Sequence, residues 1–185
     1  HEGRRIEVKG IVQGVGFRPW VFRLAAAHGI GGWVRNDDAG VTIEAFGTGT
    51  ALDAFLGELR TSPPPAAQIR SVRSMRMPPR LVRTFEIVES ARSADQHVSI
   101  PADLATCAEC LADMFDPENR RHRYAFTNCT NCGPRFTIAT SVPYDRPHTT
   151  MVSFPMCGQC RSEYESPANR RFHAQPNACP ACGPR

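Results

Sequence analysis

Gly10-Ile11-Val12-Gln13-Gly14-Val15-Gly16-Phe17-Arg18-Pro19-Trp20 carries a strand pattern into a loop with two glycines and then directly into a helix. Glycine lets the backbone take positive φ and lets a ligand approach the amides closely. Pro19 suits a first helical turn, where backbone N–H groups have no intrahelical partner. Loop amides and a helix N-terminus aimed the same way form an anion site, and Arg18 adds a permanently charged fork that matches phosphate oxygens. The expected anion contacts are the amides from Gln13 through Gly14, Val15, Gly16 and Phe17 to Arg18, with the Arg18 guanidinium beside them.

Working outward, Arg5–Val12 reads as a strand and Pro19–His28 as a helix. A hairpin follows, Gly31–Arg35 and Val41–Phe46, turned by Asn36-Asp37-Asp38-Ala39-Gly40. A second helix covers about Thr50–Arg60, with Leu52, Phe55, Leu56 and Leu59 at helical spacing, and strands near Ile69–Met75 and Thr84–Val88 complete the unit. The order is βαββαβ, a ferredoxin-like α+β arrangement. In that sheet the first strand is expected beside the strand carrying Asn36, whose neutral amide is placed to orient a water toward a phosphorus held in the loop.

All eight cysteines lie after residue 106, and all fall into C-x-x-C pairs. Cys107, Cys110, Cys129 and Cys132 recur fifty residues later as Cys157, Cys160, Cys179 and Cys182. Pro117, Asn119, Arg120, Arg121, Gly133, Pro134 and Arg135 recur at the same offset, so this half is a duplicated module. Each module spaces its pairs by eighteen residues, and two C-x-x-C turns complete a tetrahedral four-thiolate shell. Such a shell has no open position, so two structural zinc ions are expected, with iron or an iron–sulfur cluster as the alternative metal. His122, His148 and His173 are left over as solvent-facing or packing residues. Modules this small bury too little to fold unaided, so metal should supply much of their stability.

The division that follows is an α+β domain at 1–91, a polar linker at 92–104, zinc modules at 105–135 and 155–185, and a connector at 136–154. Net charge is only +4, with 13 basic and 10 acidic residues before position 101 and 9 and 8 after it, which disfavours a nucleic-acid footprint. Only Arg120, Arg121, His122 and Arg123, echoed by Arg170 and Arg171, approach a basic cluster. No apolar stretch is of bilayer length and no signal-peptide pattern opens the chain, so paired cysteines point to metal in the reducing cytoplasm rather than to disulfides.

The segments G-x-V-Q-G-V-G-F-R and G-x-V-x-N-x-x-x-G-x-V resemble those of acylphosphatases over roughly the first ninety residues. That resemblance implies that Arg18 and the loop amides hold the phosphate and that Asn36 positions the attacking water. With the two cysteine modules added, and with Thr127–Ile138, Pro143–Met151 and Arg170–Gln175, nearly the whole chain resembles the N-terminal portion of the HypF family, carbamoyltransferases of NiFe-hydrogenase maturation. The resemblance implies carbamoyl phosphate as substrate, further YrdC-like and carbamoyl-transfer domains beyond this fragment, and HypE as protein partner. The competing reading is a zinc-ribbon docking or nucleic-acid-binding protein with a non-catalytic phosphate loop.

Overall fold

The computed structural model describes residues 1–37, 40–90, 103–142 and 144–185. Two turn residues, 38 and 39, and most of the expected linker at 92–104 therefore lie outside the described residues.

The first half follows the expected element order: β1 (Glu2–Ile11), α1 (Phe17–Ala27), β2 (Gly31–Asp37), β3 (Gly40–Gly47), α2 (Gly49–Thr61), β4 (Gln68–Met77) and a short β5 (Phe85–Ile87). One sheet holds all five strands in the order β4-β1-β3-β2-β5. Each expected element forms, with β5 added parallel to β2 at the sheet edge. Thr48 starts α2 by accepting from the Ala51 N–H at 3.2 Å, and Leu52, Phe55, Leu56 and Leu59 face inward as their spacing requires. They meet Ile6, Val8, Val34 and Ile43 from the sheet and Val21 and Leu24 from α1 in one apolar core.

One expectation is corrected. β1 does not sit beside the strand carrying Asn36: β3 lies between them, pairing antiparallel with β1 on one side and β2 on the other. The β2–β3 hairpin takes one edge of β3 through a short turn, which leaves the other edge free for β1. β1 and β2 still run in the same direction, so the loop after β1 and Asn36 near the end of β2 share one end of the sheet.

The second half contains two like units. α3 (Ala108–Phe115) follows Cys107 and α4 (Gly158–Glu165) follows Cys157, and both helices keep the fifty-residue offset. Between the units, residues 136–154 form short 3-10 turns at Phe136–Ile138, Arg146–His148 and Thr150–Ser153. The two halves do not stand apart as a linker would suggest. Phe22 of α1 packs edge-on against Phe172 at 5.3 Å between ring centroids, and the finger half closes over the loop after β1.

Candidate active site and metal centres

Gly14 and Gly16 both take left-handed conformations, φ 71° and 73°, and Gly16 is the N-cap of α1. These two positive-φ residues turn the chain out of β1 and straight into the helix. Among the described residues, no backbone carbonyl accepts from the N–H groups of Gly14, Val15, Gly16, Phe17 or Arg18. That leaves a row of donors at a helix N-terminus, the arrangement expected of an anion cradle. The Gln13 side chain does something the sequence did not announce: its Nε2 donates to the carbonyls of Asp37 at 2.7 Å and Gly40 at 2.8 Å. It ties the loop to the β2–β3 turn, and its Oε1 accepts from the Tyr144 N–H at 3.4 Å.

Arg18 is buried at the second helical position and donates from Nη2 to Asp145 Oδ1 at 2.6 Å. Asp145 comes from the stretch between the two cysteine modules, and its other oxygen accepts from the Ser90 hydroxyl. A guanidinium carries five N–H donors, so one carboxylate oxygen leaves most of them for another anion. Arg18 borders two spaces. One is a cavity of about 420 Å³ shared with Asp145, His148, Tyr164, His173 and Gln175. The other is a gap of about 20 Å³ between Gly14, Gly16, the finger residue Thr130 and Tyr144 of the connector.

Asn36 is fully buried, and neither its amide nitrogen nor its amide oxygen has a hydrogen-bond partner. Strand alternation puts it on the same face as Val34, which lies in the core beneath α1, so its amide projects on the side from which the helix springs. A buried amide with no partner costs roughly 1–3 kcal/mol unless water or a ligand answers it.

The finger half forms the roof. A Cβ built on Gly14 would come within 2.6 Å of Pro134 Cβ, and one on Gly16 within 3.0 Å of Thr130 Cβ. His173, expected as a spare residue, packs between Tyr164 and Phe172, and burial, with Arg18 nearby, pushes its imidazole down to about 4. Its left-handed φ of 54° is matched by 58° at Arg123, its repeat equivalent, so that conformation belongs to the module's own turn. Asp145 was missed because it lies in the connector, outside the repeat. His173 and Gln175 carried a readable signal, since they replace Arg123 and Ala125 where the second module faces Arg18.

The cysteines gather as the spacing requires: Cys107, Cys110, Cys129 and Cys132 in one group, Cys157, Cys160, Cys179 and Cys182 in the other, with no sharing between modules. Within a group the Sγ atoms lie within 4.8 Å of one another, and individual pairs stand 3.5 to 3.9 Å apart. A tetrahedron with metal–sulfur bonds of about 2.3 Å requires edges of about 3.8 Å, so the donor sets fit zinc. Burial alone would raise Glu163, yet Arg121 and Arg120 outweigh it and hold this acid at about 2 beside the second group.

Together these features define a five-stranded α+β domain roofed by a duplicated four-cysteine finger. Residues 4–87 match the acylphosphatase family model, and residues 106–139 and 156–185 match the HypF finger. The chain is 53% identical over 153 residues to carbamoyltransferase HypF2 of Cupriavidus necator, covering 82% of this chain and 19% of that protein. It is 45% identical over 69 residues to an acylphosphatase of Oceanobacillus iheyensis, covering 37% of this chain and 76% of that one. A crystal structure of full-length HypF in a phosphate- and nucleotide-bound form aligns with 43% identity and a TM-score of 0.95, over 100% of this chain and 24% of that one. The chain belongs to the acylphosphatase family and carries HypF fingers, the pairing of the N-terminal region of HypF carbamoyltransferases. It spans about a fifth of the length of the curated carbamoyltransferases it matches.

Proposed function

We propose that this region hydrolyses carbamoyl phosphate. The loop amides from Gln13 to Arg18 and the Arg18 guanidinium hold the phosphoryl group, and Asn36 orients the attacking water. An acyl phosphate has a good leaving group, so positioning and charge stabilisation suffice without a covalent nucleophile. The observation that carries the reading is the buried, unpartnered amide of Asn36 at the same sheet end as a loop of unengaged N–H donors. A water answering that amide would be held on the helix side of the sheet, toward the anion cradle. The bound phosphate named for the full-length HypF structure agrees with it.

In this reading each four-cysteine group holds one structural zinc, and the acylphosphatase step feeds carbamoyl transfer and cyanide-ligand synthesis in a longer cytoplasmic enzyme that hands its product to HypE. Among the described residues no helix is long and apolar enough to cross a membrane. The zinc ions supply no catalytic chemistry here; when bound they fix the roof over the loop. The test is phosphate release from carbamoyl phosphate by the wild type and Asn36→Ala. Turnover should fall ~100-fold or more while inhibition by inorganic phosphate stays near wild type, because the amide acts on water rather than on the anion. Wild-type turnover in Asn36→Ala would remove the water-orienting role.

A further inference from the structure

Arginines from each finger cross to the cysteines of the other. Arg120 points Nη1 and Nη2 at Cys160 Sγ, each at 3.4 Å, and Arg170 points Nη1 at Cys110 Sγ at 3.0 Å. The adjacent residues repeat the crossing on backbone: Arg121 Nε donates to the Ala178 carbonyl at 2.9 Å, and Arg171 Nε to the Asn128 carbonyl at 3.2 Å. Acids anchor both pairs, Glu163 taking Arg120 and Arg121 and Asp113 taking Arg170 and Arg171. Every partner in one set is fifty residues from its counterpart in the other, so the contacts form a reciprocal, pseudo-twofold set. Cys110 and Cys160 are fully buried, so these thiolates have little water to rely on.

We propose that Arg120 and Arg170 are positioning residues for the opposite module's metal site, so that the two ions load and leave as a coupled pair. Four thiolates around a divalent ion carry net charge −2 in a buried setting, and an N–H donor with a positive charge offsets part of it. Outer hydrogen bonds of this kind orient the ligand and tune its basicity. Here the donor is supplied by a module whose own fold depends on its own ion. Losing one ion loosens the segment that carries the arginine and so weakens the other site. Contact surface alone would hold the modules together without placing a guanidinium on each opposite sulfur.

Native mass spectrometry of the chain during a zinc titration reads the coupling directly. The expected result is mainly metal-free and two-zinc species, with the one-zinc species well below the share that independent sites would give. A binomial distribution overturns the proposal. Cadmium-substituted protein gives a second readout, one resonance per site. Arg120→Gln should shift the resonance of the Cys157 group and weaken that site about 10- to 100-fold, the range for lost outer partners of metal ligands. Module 1, which carries the substitution, should keep its resonance, and Arg120→Lys should restore most of the affinity. In the fully loaded protein, resonance shifts of equal size at both sites, or a shift at module 1 alone, would contradict a cross-module role. Should Arg120→Gln not fold, the wild-type distribution decides by itself.

Discussion

Arg18→Lys separates the observed ion pair from the anion-binding role proposed for the same side chain. Arg18 spends one edge on Asp145, at 2.6 Å, with the two side chains only 9% and 16% exposed. The rest of the guanidinium remains for an anion on the loop. Lysine keeps the charge but gathers its three donors on one tetrahedral nitrogen, so it lacks the planar fork that can hold the carboxylate on one edge and phosphoryl oxygens on the other. Losing a preorganised donor to developing charge costs about 10²–10³ in turnover, roughly 2.7–4 kcal/mol. Stability should change little, because the ion pair survives. Arg18→Ala loses the pair as well and, among the described residues, leaves the Asp145 carboxylate with the Ser90 hydroxyl. Breaking a buried pair costs about 3–5 kcal/mol; with Asp145 partly exposed, about 2 kcal/mol is expected, which lowers Tm by roughly 4–8 °C in a chain of this size. Adding Asp145→Ala to Arg18→Ala should recover much of that stability and none of the turnover. The assays are phosphate release from carbamoyl phosphate and a thermal melt on the same samples. Wild-type turnover in Arg18→Lys would refute the division of labour, and an unshifted melt in Arg18→Ala would refute the buried pair.

Two further changes probe the roof. Gly14→Val adds a Cβ at φ 71°, 2.6 Å from Pro134, so it should lower Tm and loosen the contact between loop and finger; an unchanged melt and unchanged protease resistance near residue 134 would count against the packing. His173 is held down to about 4 in the folded chain against 6.5 ordinarily, so its contribution is present above pH 6.5 and is lost as pH falls toward 4. At most about 3 kcal/mol is at stake, and His173→Gln should flatten the acid limb of a denaturant-midpoint profile relative to wild type. Parallel profiles would place the imidazole in water.

What was legible in the sequence was what is local. The glycines of Gly14-Val15-Gly16 and the helix start at Phe17 sit within a few residues of one another, so the turn into the helix was legible. Four cysteines per module at fixed spacing likewise announced the two four-cysteine groups. Long-range packing was not legible. Arg18 and Asp145 are 127 residues apart, and nothing in either segment marks the other. The neighbour of β1 was misjudged because strand patterns specify faces, not adjacency, and the hairpin that inserts β3 decides it. Arg120 and Arg121, with their echo at Arg170 and Arg171, looked like the nearest thing to a basic cluster. In the fold these arginines turn inward onto acids, carbonyls and sulfur, which removes them as a surface for nucleic acid. Asn36 was chosen for its chemistry, and its unpartnered burial supplied a physical reason the sequence alone did not contain.

The most direct test of the anion cradle is a titration of inorganic phosphate into nitrogen-labelled chain, followed through the backbone amide and arginine side-chain resonances. The account expects saturable shifts concentrated on Gly14, Val15, Gly16, Phe17 and Arg18, including the Arg18 Nε–H, and their loss in Arg18→Ala. Shifts confined to the exposed arginines of β4, with the loop silent, would contradict it.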